Sequence, residues 1–244
     1  MGPSVGPGGQ ELAKIDCSVA LTPLGRYGVR RILLREGVPA PISGEHADSS
    51  AAELLDALMI MRPDLHEAEI APWLAQRTPE EAVRAVTEAA SDPSGGGAFR
   101  RALATRVLDS LGGPAVPHLR DLLSSDRAAE AALAAAALMA TPDLPEAEKD
   151  RLSQRFGPWL AVDMVMAPLE MGEDRLETVF SVNTGDGTEG AGPIGQLLLE
   201  GGDDLWKVDH PEAFQALEAV GRLHPDKKVA KAARRAAHKA RSRS

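Results

Sequence analysis

The chain has 244 residues, 43% of them hydrophobic but only 3% aromatic, enough for one large domain or two small ones. Alanine and leucine must fill its core, which favours close-packed helices over a sheet, and the single cysteine, Cys17, excludes an internal disulfide and any multi-cysteine metal site. The formal charge of −9 is unevenly placed: residues 227–244 carry eight bases and no acid, leaving 19 bases against 36 acids, or −17, in the other 226 residues.

In chain order, residues 1–16 are Gly/Pro-rich and predict a disordered N-terminus. They lack a charged segment followed by an apolar one, so no secretory signal is expected. The longest apolar run, Ala131–Ala140, is half of a membrane span. Together with the lone cysteine this predicts a cytoplasmic protein with no membrane partner. Residues 17–49 form a first region. Ser18–Thr22 is the one plausible strand, and after it Val29, Ile32 and Leu33 predict a short amphipathic helix that ends at Gly37. The phrase VALTPLGR resembles the closing wing strand and following helix of winged-helix proteins. Too few residues precede it for a helix-turn-helix, so the segment reads as a remnant.

A helical repeat region is expected over 50–182. Ser50 and Glu53 form a capping box ahead of Leu54, Leu55 and Leu58. HEAEIAPWLAQR predicts a helix that begins or kinks at Pro72. Thr78, Pro79 and Glu81 are the clearest helix start in the chain. The centre is the stretch from Phe99 to Ala140. Phe99, Leu103, Val107 and Leu111 recur every four residues, Val116, Leu119, Leu122 and Leu123 share a face, and RAAEAALAAAALMA is apolar almost all round. Beyond it, residues 141–160, DMVMAPLEM and EDRLETVFSV read as successive helices. Residues 183–193, NTGDGTEGAGP, predict a flexible loop. The terminal repeat, 194–244, has Asp209 as N-cap with Glu212 at N3 of one helix, and Asp226 opening the final basic helix.

LSSDRAAEAALAAAALM and LHPDKKVAKAARRAAHKA line up on Asp126 and Asp226. LGGPAVPHLRDLLSSD followed by an Ala-rich helix resembles a HEAT repeat of the short, phycobilisome-lyase-associated type. Over its length the chain is similar to HEAT-like proteins of high-GC actinobacteria, in which phrases like LTPLGRYGVRRILLREGVPAP and VDHPEAFQALEAVGRLHPDKKVAKAARRAAHKARSR occur. The resemblance implies an all-α fold, an α-solenoid-like stack of helical hairpins with at most one short strand, in which neighbouring pairs bury each other's apolar faces. It also implies, by fold analogy alone, a bilin-lyase-like activity as a remote reading.

Candidate chemistry is sparse. His46, His66, His118, His210, His224 and His238 show no ligand spacing, so no metal is expected. Asp209-His210 has no nucleophile motif beside it, and Asp209 is better explained as a cap. GDGTEGAGPIG lacks the Lys-Ser/Thr of a phosphate loop and carries two acids. Met59, Met61, Met164, Met166 and Met171 sit at helical spacings and read as core. No catalytic residue and no cofactor is assigned. The expected function is a non-enzymatic scaffold that binds a protein partner through its helical surface, its oligomeric state left open. The alternative is a nucleic-acid-associated accessory protein, with Lys227, Lys228, Lys231, Arg234, Arg235, Lys239, Arg241 and Arg243 facing phosphates or an acidic partner.

Overall fold

The computed structural model describes residues 21–38, 40, 42, 44–91, 97–183, 195, 197–199 and 205–242. All regular structure among them is helical. The chain divides into two compact units, Met1–Ile42 and Ser43–Ser244.

In the first unit, α1 (Pro23–Arg35) starts at Thr22, whose Oγ1 accepts the Gly25 N–H at 3.1 Å. It stops at Gly37, where φ is +74° and the Val38 N–H reaches back to the Leu33 carbonyl at 2.8 Å, a Schellman ending that glycine accommodates without strain. The expected strand at Ser18–Thr22 lies outside the described residues except for its last two. Leu21 is not in a strand, and Thr22 is spent as a helix cap. Val29 and Ile32, expected to face inward, are exposed.

In the second unit the helices are α2 (Ala51–Ile60), α3 (His66–Leu74), α4 (Pro79–Ser91), α5 (Ala98–Asp109), α6 (Val116–Leu122), α7 (Ala128–Ala140), α8 (Glu146–Glu170), α9 (Glu173–Asn183), α10 (Ala213–Leu223) and α11 (Lys227–Arg241). The capping boxes read from sequence form: Ser50 with Glu53 at α2, and Thr78 with Glu81 at α4. α7 is enclosed by α4, α5, α6 and α8, as its all-round apolar sequence requires. α5 is central as well, packing on α2, α4, α7 and α8. The helix expected to begin or kink at Pro72 instead starts at His66 and runs through that proline. Likewise, 141–160 and DMVMAPLEM are not separate helices. α8 continues for 25 residues through Gly157-Pro158 and Pro168, because its two ends are buried in different places. Leu152, Phe156 and Trp159 join a core built from α2 to α7, whereas Val162, Val165 and Met166 join a second core with α9, α10 and α11.

Two side chains of α3 and one from the turn just past its end fold the preceding loop onto the helix. Glu69 accepts the Gly44 and His46 N–H groups at 2.8 and 3.3 Å, Trp73 Nε1–H donates to the Ser49 carbonyl at 2.9 Å, and Arg77 donates to the Ala47 and Ser49 carbonyls while stacking on Trp73. Their spacing of four puts all three on one face.

Candidate functional site

Two groupings of polar side chains stand out, one buried and one exposed. The buried one was not legible as a motif, because its members come from distant stretches. α5 carries adjacent arginines that diverge by about 100° around the helix. Arg100 turns to α2, where it meets Asp56 and the Ala52 carbonyl. Arg101 turns to α8 and grips Asp163 through two hydrogen bonds, 2.9 and 2.5 Å, and reaches Glu212 at 3.4 Å. His210, also buried, completes the group. Its Nδ1 accepts the Glu212 backbone N–H at 3.0 Å, so Nε2 holds the proton and donates to Asp163 Oδ1 at 3.1 Å. The His210 ring lies 4.2 Å from that of Trp159, and Arg101 sits over the same indole at 5.1 Å.

Burial by itself would pull the Arg101 guanidinium down. Its hydrogen bonds and charge contact with Asp163, and then Glu212, more than offset this and hold it above its ordinary range. Asp163, His210 and Glu212 have the donor types of a metal site, with ligand atoms within 4.8 Å of one another. The guanidinium already occupies the space between the two carboxylates and contacts both, and both imidazole nitrogens are engaged. A divalent ion would have to displace Arg101, so the residues fit a structural tie better than a metal centre. The tie joins the elements of the two cores at the point where α8 passes from one to the other.

This corrects the expectation at Asp209. α10 begins at Ala213, so Asp209 and Glu212 do not form a cap with its N3 partner, and Glu212 is directed to Arg101 instead. His210 and His224 are the first residues of two His-Pro-acid phrases, His210-Pro211-Glu212 and His224-Pro225-Asp226. In each the histidine Nδ1 accepts the backbone N–H two residues on, at 3.0 and 3.1 Å. In each the ring packs on an aromatic side chain, Trp159 for His210 and Phe180 for His224. The repeat of this phrase was visible in the sequence, but its role required the coordinates. Asp226 does open the last helix, accepting the Lys228 and Val229 N–H groups at 2.6 and 3.4 Å. The aligned Asp126 does not occupy the equivalent place: α7 starts two residues beyond it, and the Arg127 N–H is taken by Ser125 Oγ.

The exposed grouping is the basic helix. Val229, Ala230, Ala233, Ala236, Ala237 and Ala240 of α11 are buried against α10 and the Leu205–Lys207 turn. Helical spacing from Lys227 puts Val229, Ala232, Ala233, Ala236 and Ala240 on one stripe, and of these Ala232 is only half-buried. With about 100° between residues, the bases Lys227, Lys228, Lys231, Arg234, Arg235, Lys239 and Arg241, together with His238, fill an arc of roughly 160° on the opposite side. All seven of these expected site residues are on α11; Arg243 lies outside the described residues. Arg234 reaches the Gly221 carbonyl, and Arg241 lies over the Phe214 ring at 4.9 Å and 3.5 Å from Glu218. The GDGTEGAGPIG loop lies outside the described residues up to Gly195.

The methionines depart from expectation. Met166 is core, but Met59, Met164 and Met171 are exposed, the latter two at 54% and 52%. Along α8 and its C-cap, Leu160, Met164, Ala167 or Pro168, and Met171 follow one another at intervals of three or four residues, and all are half-buried or exposed. No described helix is long and apolar enough to cross a membrane. Comparison with protein-family models, curated proteins and solved structures yields no match for this chain.

Proposed function

We propose that this chain is a non-enzymatic, cytoplasmic helical-repeat scaffold of HEAT-like type that docks a protein partner on its helical surface. The observation that carries the reading is the apolar stripe along α8 and its C-cap, where Met164 is exposed between half-buried Leu160 and Ala167, and Met171 is exposed just past Pro168. A helix with one buried face and a second, methionine-bearing apolar face offers an adaptable surface for a partner helix or loop. The main polar cluster supports the same reading, since Arg101, Asp163, His210 and Glu212 satisfy one another and hold the stack together.

The test is capture from native lysate by the full chain, wild type against Met164→Lys and Met171→Lys. A stoichiometric partner held by the wild type and lost from both variants is expected. A monomeric protein inert to lysate, or capture indifferent to both substitutions, overturns the reading.

A further inference from the structure

We infer that α11 is a phosphate-backbone clamp for duplex nucleic acid, binding without regard to base sequence. This goes beyond the scaffold reading and uses a different surface. The outward arc of α11 carries Lys227, Lys228, Lys231, Arg235, His238 and Lys239 along a helix about 22 Å long. Lys227, Lys231, Arg235 and Lys239 succeed one another every four residues, about 6 Å apart along the axis, close to the step between phosphates on one strand.

Three features favour a phosphate backbone over an acidic protein. The exposed large hydrophobic side chains of the described residues all precede residue 200, so α10 and α11 present none, and a protein interface without an apolar anchor lacks its energetic centre. A purely cationic face is what sequence-independent phosphate binding uses. Lys227 and Lys228 stand in the first turn of α11, where the helix dipole disfavours cations, so dipole stabilisation does not account for them. The duplex is favoured over a single strand because the arc holds no aromatic side chain on which bases could stack. Phe214, the nearest ring, is half-buried beneath Arg241. Two acids do stand at α11, Asp226 as its N-cap and Glu218 at 3.5 Å from Arg241, which is why Arg241 is left out of the clamp; charges beyond about 8 Å are screened at physiological salt.

The test is fluorescence anisotropy of the full chain with a random-sequence DNA duplex, at salt from about 50 to 200 mM. With four phosphates neutralised, the log–log salt slope is expected near −3.6, a loss of affinity on the order of a hundredfold across that range. The double variant Lys231→Glu/Arg235→Glu, whose side chains are exposed, should bind at least tenfold more weakly and flatten the slope by about two phosphates, with unchanged thermal unfolding. Met164→Lys should leave duplex binding intact, so that failure of the scaffold reading and failure of this one are separable. No binding at about 50 mM salt, a double variant that binds like wild type, tighter binding of a single strand of equal phosphate number, or equal binding of poly-glutamate would each overturn the inference.

Discussion

α7 and α11 are both alanine-rich helices that follow a short turn after an apolar helix, yet they end up in opposite circumstances. α7 has neighbours on every side, α4, α5, α6 and α8, and a single ionisable residue, Glu130, buried beside Ser125 Oγ at 2.6 Å and paired with Arg127. α11 packs on α10 and the Leu205–Lys207 turn, and everything on its far side is charged or polar. The alanines do the same work in both, allowing close approach of backbones. The cations decide whether a further helix can stack on the other side. A helix enclosed as α7 is can be apolar almost all round, whereas a helix with one face toward water carries groups there that water accepts.

The sharpest way to break this comparison is at the joint between the two halves. Arg101→Ala leaves Asp163 and Glu212 without their cation and should cost about 3–5 kcal/mol in urea unfolding, whereas Arg101→Met combined with Asp163→Leu should recover much of it. If the single variant costs less than about 1 kcal/mol, the tie does not hold the cores together.

Next in size is the difference between the helices themselves. Leu138, fully buried in α7, should cost about 2–5 kcal/mol as Leu138→Ala. Val229→Ala in α11 should cost about 2 kcal/mol, from the smaller volume removed. Losses in the ratio of roughly 3:2, that of the carbons removed, would mean that enclosure by four neighbours adds nothing.

Gly221 tests how closely α10 and α11 approach. A Cβ there would lie 2.7 Å from Arg234 Cγ and 3.3 Å from its backbone nitrogen, so Gly221→Ala should destabilise by about 1–3 kcal/mol. Gly97→Ala probes the contact between the start of α5 and the end of α8, since a Cβ would lie 2.5 Å from the Glu170 carboxylate that accepts the Ala98 and Phe99 N–H groups.

The smallest effect is acid sensitivity in the half around α7. The Glu53 carboxyl is held below its ordinary value of 4.5 by the Ser50 backbone N–H and then its hydroxyl, Glu81 in the same way by Thr78, and Glu148 by its hydrogen bond from Arg120. Each is lower in the folded state than unfolded, so its contribution is present above about pH 4.5 and lost as the pH falls through the folded value. Urea midpoints should therefore decline below pH 4.5, and Glu53→Gln with Glu81→Gln should flatten that decline. An unchanged slope would remove these caps from the account.

Much of the helical content was readable because it depends on short-range rules. The Ser50–Glu53 and Thr78–Glu81 boxes, the Gly37 ending, the four-residue stripe of α5 and the Asp226 cap each involve residues within one or two turns. Proline was read too strongly. Pro72 was taken as a start or kink, but α3 begins at His66 and runs through it, just as α8 runs through Pro158 and Pro168. The methionines were read too simply, because apolar spacing marks two faces on α8, and on the second Leu160 and Ala167 pack at the edge of the cores while Met164 is exposed.

What composition and spacing determined by themselves is an all-α chain of short capped helices, with an alanine-rich helix at its centre and a basic one at its end. These are properties of the local backbone and of charge, both fixed by residues close in sequence. Only the tertiary structure decided that Arg101, Asp163, His210 and Glu212 meet and that α8 serves two cores. Those outcomes depend on contacts between residues tens of positions apart, 62 between Arg101 and Asp163 and 111 between Arg101 and Glu212, where no periodicity reaches.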